Sequence, residues 1–277
     1  MVKKQWIAGI LSLMLLLTLG ACGTTPAAAE EPQKPAQSQD QTEKSAEQNQ
    51  PEGQETAAPA SAVVPASDPV SAEWFSDAAF VGDSVSVMLE TYNSTYEKLG
   101  TPAFFCSVSL SQNNALNYSA GDSRLPEYPK GSGQHPRIED GIAASGAKKV
   151  YIMLGMNCIA GGVDSSCQDL VRLVDEIQAK SPDTAILIQS VTPMTTDSRR
   201  ADQALNNDTI QEYNTKMEAI CQEKHWYFIN VAEAVSDQNG FLRADFSGDQ
   251  AMGIHFNYNG AEAWTEYLLT HVPPALK

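Results

Sequence analysis

Gly82-Asp83-Ser84 follows directly on the apolar run Ala78-Ala79-Phe80-Val81. A short β-type run that breaks into a glycine and then a serine can display a hydroxyl nucleophile. The strand carries the chain to the edge of a sheet, glycine permits the sharp turn, and the serine opens the next helix. The same three letters return at Gly121-Asp122-Ser123, behind the polar stretch Asn117-Tyr118-Ser119-Ala120, which reads as loop. Context therefore selects Ser84 as the candidate nucleophile and leaves Ser123 as a loop serine. A serine at the head of a helix can also act simply as its cap.

Ser84 is useful only if other elements bring partners to it. Residues 71–277 alternate strand and helix. Strands are expected up to Val81 and over 103–108, 149–154, 184–191 and 226–231. Helices are expected over 84–99, 138–147, 164–180, 206–224 and 260–271. The helix at 164–180 carries Leu170, Leu173, Val174 and Ile177 on one face. Residues 117–136 are rich in Gly, Pro and Tyr and show no period; with Tyr118 and Tyr128 they could wall a cleft. Strand–helix alternation with near-continuous apolar strands implies a parallel sheet covered on both faces. Such sheets bind ligands outside the carboxyl ends of their strands. Three of those ends carry chemistry: Ser84 after the first strand, 109–113 after the second, and Gly155-Met156-Asn157 after the third.

Gly82-Asp83-Ser84, Gly155-Met156-Asn157 and Gly253-Ile254-His255, in this order, resemble blocks of the SGNH (GDSL-type) hydrolase superfamily across essentially the whole domain. The α/β-hydrolase elbow fits less well, because Ser86 stands where its second glycine belongs. The resemblance implies a three-layer α/β/α flavodoxin-like sandwich with a mostly parallel five-stranded sheet, and ester hydrolysis through a serine. Ser84 would attack the ester carbonyl, with His255 as general base and then general acid. The oxyanion would be held by the Ser84 N–H and the Asn157 side-chain amide. The family adds an N–H from a glycine after the second strand; this chain has none there, and Ser109 takes the position. The family also places an aspartate three residues before the histidine, where this chain has Met252. Asp249 is the nearest substitute, with Asp245 behind it. A backbone carbonyl holding His255 as part of a Ser–His dyad, and an inactive site, are the alternatives.

The N-terminus sets the expected compartment. Lys3-Lys4, an apolar stretch from Trp6 to Leu19, and Leu19-Gly20-Ala21-Cys22 resemble a bacterial lipoprotein signal, with Cys22 lipidated. Residues 1–22 are then signal and anchor. Residues 23–70, mostly Ala, Pro, Gln, Glu and Ser, are read as a disordered tether, and 71–277 as the SGNH hydrolase-like domain. The expected location is extracytoplasmic, attached to the membrane through the lipid alone. A formal net charge of −16 argues against nucleic acid as a partner. Cys106, Cys158, Cys167 and Cys221 fit no zinc spacing and are either two disulfides or free thiols; no metal and no cofactor is expected. The expected activity is a serine esterase removing short acyl groups, above all acetyl, from small esters or from acylated cell-wall or extracellular glycans. The competing readings are a non-catalytic glycan-binding or envelope-assembly lipoprotein, and an acyltransferase using the same Ser/His pair.

Overall fold

In the computed structural model, which describes residues 61–200 and 203–277, five strands form one sheet. They are β1 (Ala78–Gly82), β2 (Ala103–Cys106), β3 (Lys149–Met153), β4 (Ala185–Gln189) and β5 (Tyr227–Ile229). All neighbouring pairs are parallel and the spatial order is β2-β1-β3-β4-β5. The chain leaves β1 toward one edge and β3 toward the other. The loops after these two adjacent strands therefore diverge and open a crevice at their carboxyl ends.

Strand alternation divides the apolar residues between two cores. Ala79, Val81, Val150, Ile152, Ile186 and Ile188 point to one face, where they meet α2 (Gln112–Asn117), α3 (Ile138–Ser145), α4 (Val163–Lys180) and α5 (Asn207–Lys224). Ala78, Phe80, Tyr151, Met153, Leu187 and Ile229 point to the other, under α1 (Ser84–Tyr96), α6 (Val231–Val235) and α7 (Tyr258–Thr270). Period-2 side chains on strands buried on both faces produce this three-layer arrangement. The sheet is all parallel rather than mostly so.

Several boundaries differ from the sequence reading. The first helix stops at Tyr96 because Glu97 turns left-handed at φ 53°. The second strand ends at Cys106. Helices α2 and α6 leave no periodic trace in the sequence: six and five residues span too few turns to show a period. The four cysteines of the domain are free thiols, not disulfides.

The largest correction concerns residues 61–70, which composition placed in the tether. Val63 bridges Phe228 in parallel, the Phe228 N–H donates to Ala62 (2.8 Å), and the Val64 N–H donates to Phe228 (2.8 Å). Ala62 and Val64 are buried, and Ser67 and Val70 donate to the carbonyls of Thr270 and Leu269 at the end of α7. Val63-Val64 are two β-branched residues that cover the otherwise unpaired edge of β5, a contact that average composition conceals. Cys22, the signal and the remainder of the tether lie outside the described residues.

Candidate active site

Every residue of β1 is buried, so the strand delivers Ser84 to the crevice on a rigid support. Gly82 is required there: a Cβ would fall 2.0 Å from Ser86 Oγ and 3.2 Å from the Met153 carbonyl. Asp83 is the N-cap of α1, its Oδ1 accepting the Val85 N–H at 3.0 Å. Because Asp83 caps the helix, the Ser84 hydroxyl is left for another partner, which is His255 Nε2 at 3.0 Å. The second copy of the tripeptide lies away from this pair: Asp122 is tied to Arg124 (2.6 Å) and Ser123 is exposed.

His255 comes from the loop between α6 and α7. That loop is closed by an antiparallel bridge between Ser247 and Phe256, and by the Gly248 N–H on the His255 carbonyl (2.8 Å). Within it Asp249 folds back on the residues that follow. Its Oδ1 accepts the N–H groups of Met252 (2.6 Å) and Gly253 (2.8 Å), and its Oδ2 meets His255 Nδ1. Partial burial opposes the Asp249 charge. The hydrogen bonds from His255, Gly253 and Met252 outweigh that and hold the carboxyl below its ordinary range. An ionised carboxylate only accepts, so Nδ1 carries the ring proton and Nε2 offers its lone pair to the Ser84 hydroxyl. Met252 takes part through its backbone. Asp245 is paired with Arg243 (2.6 Å) and is not brought to the histidine.

The oxyanion candidates follow three strand ends. Ser84 is the first residue of α1, so its N–H has no intrahelical acceptor. Ser109 is exposed and left-handed, at φ 62°, in a turn closed by the Leu110 N–H on Ser107 (3.1 Å). That conformation is the one glycine adopts most easily, so serine sits here in a glycine's backbone geometry. The turn is pinned on both sides, by Asn114 Nδ2 donating to the Ser109 carbonyl (2.8 Å) and by Ser107 Oγ donating to the Arg124 carbonyl (2.8 Å). Asn157 Nδ2 donates to the Leu110 carbonyl at 3.0 Å and lies 3.5 Å from Asp83 Oδ2, so its amide links the ends of β1, β2 and β3. The 3.5 Å contact is the weak one, and its hydrogen is the one an oxyanion could take over.

Asp83 is the site's buried acid. Burial raises its pKa to about 6 from an ordinary 3.8, against the lowering pull of the Val85 N–H and of His255. The neighbouring Cys158 thiol is pushed up to about 11 by burial, so it stays protonated and offers no competing nucleophile. Of the two tyrosines expected in a cleft wall, Tyr128 lines a groove of about 460 Å³ with Val87, Thr91 and Phe104, whose lining includes none of Ser84, Asn157 and His255. Tyr118 instead lies under the Arg124 guanidinium, 3.8 Å from ring centroid to carbon.

Two residues with no sequence signal back the histidine loop from the segment after β4. The Thr195 N–H donates to the Gly253 carbonyl (2.9 Å), and Ser198 Oγ donates to the Met252 carbonyl (2.6 Å). A serine hydroxyl, an imidazole and a carboxylate in hydrogen-bonded series are the groups that nucleophilic acyl transfer requires.

The family model described as GDSL-like lipase/acylhydrolase matches residues 80–263. Several solved structures share the fold. A candidate acylhydrolase from Bacteroides fragilis is 14% identical with a TM-score of 0.54, over 69% of this chain and 83% of that one. A GDSL-like lipase from Bacteroides thetaiotaomicron is 14% identical with a TM-score of 0.53, over 69% and 84%. A candidate platelet activating factor from Streptococcus pneumonia is 18% identical with a TM-score of 0.53, over 69% and 81%. No curated protein matches the chain by sequence.

Proposed function

Because the chain belongs to the GDSL-like lipase/acylhydrolase family and is an ester-hydrolysing serine esterase, we propose that Ser84, His255 and Asp249 are its catalytic triad. The observation that carries this reading is the unbroken series from Ser84 Oγ to His255 Nε2 and from His255 Nδ1 to Asp249. Ser84 Oγ attacks the ester carbonyl as Nε2 removes its proton. The carbonyl oxygen becomes an oxyanion held by the N–H groups of Ser84 and Ser109 and by the Asn157 amide. The intermediate collapses as His255 gives its proton to the leaving alcohol. A water, deprotonated by the same nitrogen, then attacks the acyl-serine, and the acid leaves as Ser84 regains its proton. Asp249 keeps the ring in the Nδ1–H tautomer and stabilises the imidazolium.

The acyl group is short, acetyl above all, and the alcohol is a small ester's or a sugar hydroxyl of cell-wall or extracellular glycan. The protein is exported, lipidated at Cys22 and joined by a tether to the hydrolase domain, with no partner at the membrane beyond the lipid. The lipoprotein-like signal and the polar composition that follows it support this location. The idea of a non-catalytic glycan-binding lipoprotein drew on Met252. That motive lapses once Asp249 meets His255.

Residues 61–277 should release acetate from p-nitrophenyl acetate and from acetylated xylan or peptidoglycan, and Ser84→Ala should abolish it. Undiminished release by Ser84→Ala would sink the mechanism. Transfer of the acetyl group to an added sugar, in place of free acetate, would identify an acyltransferase.

A further inference from the structure

The turn from Asp249 to His255 is held from behind by a single loop. Three successive carbonyls, of Ala251, Met252 and Gly253, accept from the Arg199 N–H (3.3 Å), Ser198 Oγ (2.6 Å) and the Thr195 N–H (2.9 Å). Two of these donors are main chain; Ser198 is the one side chain. Its hydroxyl accepts from the Arg200 N–H (3.2 Å), which leaves its hydrogen for Met252. Ser198 is 7% exposed, so water does not readily substitute for it.

In a trans peptide the carbonyl and the following N–H point in opposite directions within one rigid plane. The Met252 carbonyl and the Gly253 N–H share such a plane. Fixing the carbonyl on Ser198 therefore aims the N–H at Asp249, where it is shared between Oδ1 (2.8 Å) and the backbone carbonyl (2.9 Å). Gly253 is left-handed at φ 64°, and a Cβ there would meet Thr195 Oγ1 at 2.1 Å, so the turn and its backing loop are in close apposition. We propose that Ser198 is a positioning residue of the hydrolytic site. Its hydrogen bond to the Met252 carbonyl sets the peptide that holds Asp249, and so keeps the carboxylate on His255 Nδ1. Such a device suits a chain whose acid stands six residues before the histidine, with a longer turn to hold rigid. The inference rests on the triad reading of Ser84, His255 and Asp249.

The test compares Ser198→Ala, Ser198→Thr and Asp249→Ala in the full chain with p-nitrophenyl acetate. It follows the far-downfield proton resonance of the Nδ1–H bond to Asp249. Ser198→Ala should lower kcat about tenfold, below the roughly hundredfold that a 1 Å misplacement can cost. KM should stay within twofold, and the downfield resonance should be broadened or lost. Ser198→Thr, which restores the hydroxyl, should recover both. Wild-type kcat in Ser198→Ala would overturn the proposal, and so would a loss of kcat with the resonance unchanged. If Asp249→Ala itself keeps wild-type kcat, the triad reading fails. A crippled Asp249→Ala beside a fully active Ser198→Ala removes the positioning role alone.

Discussion

Asp249 and His255 are six residues apart, yet the carboxylate of one meets Nδ1 of the other because the intervening chain turns back and donates two backbone N–H groups to the carboxylate. The acid is thereby supplied from a position other than that of Met252. Asp249→Ala should reduce kcat by about 10³–10⁴-fold, the range expected when a triad histidine loses its orienting carboxylate. Asp245→Ala should remain within twofold of wild type, because that residue is engaged with Arg243. Steady-state kinetics on a small ester distinguishes the two.

Asn157→Ala removes one of the proposed oxyanion donors and should lower kcat by about 10²–10³-fold, with little change in KM. The Ser109 contribution is an N–H, so its side chain is dispensable. Ser109→Gly should keep kcat within twofold. It should also raise stability by up to about 1 kcal/mol, since glycine avoids the left-handed penalty while losing more entropy on folding. Denaturant titration beside the kinetics reads both effects, and a large fall in kcat for Ser109→Gly would count against the assignment.

The raised pKa of Asp83 has a stability consequence of definite sign. The folded-state value is about 6 against an ordinary 3.8, so the folded protein binds this proton more tightly than the unfolded chain. The stability it contributes is full below about pH 4 and is lost as pH rises through 6, by at most about 3 kcal/mol. Asparagine caps a helix as well as aspartate and carries no charge. Asp83→Asn should therefore raise Tm at pH 7.5 and match wild type near pH 4, a comparison open to thermal denaturation. An Asp83→Asn variant less stable than wild type at pH 7.5 would refute the argument.

Residues 61–70 should behave as part of the domain. A chain beginning at Ser71 loses the Val63–Phe228 bridge, the burial of Ala62 and Val64, and the bonds to the end of α7. Burying an aliphatic side chain of this size is worth about 1.5–3 kcal/mol, so the shorter chain should melt several degrees below one that begins at Ser61 and should expose the β5 edge to self-association. Equal Tm and equal monomer content for the two would show that the segment is incidental.

Much of the site is legible because strand ends are marked locally. Ala78–Val81 and 150–154 are continuous apolar runs that stop at glycine, with Ser84 and Asn157 two residues further on; short apolar runs bounded by glycine suit strands buried on both faces. Short elements carry no comparable signal. Helices α2 and α6 are too brief to show a period, and Val63-Val64 are submerged in the polar composition around them. Ser107 to Leu110 gave an N–H candidate by position, but the left-handed backbone at Ser109 comes from the turn it closes, which residue type alone does not announce.

By itself, the sequence determined the parallel sheet, the strand ends where chemistry collects, and the identities of Ser84, Asn157 and His255 as groups that could act together. The sheet and its strand ends follow from the order of apolar and polar residues along the chain, a local property. Asn157 and His255 are singled out as partners of Ser84 by the resemblance of their blocks to the SGNH superfamily. Only the tertiary structure decided that Asp249 reaches His255, that Ser198 and Thr195 back the turn between them, and that residues 61–70 complete the sheet. Each of these is a contact between segments whose meeting depends on backbone turns and buried hydrogen bonds. Hydrogen bonds at 2.6–3.0 Å tolerate little displacement, and nothing in residue order alone sets them.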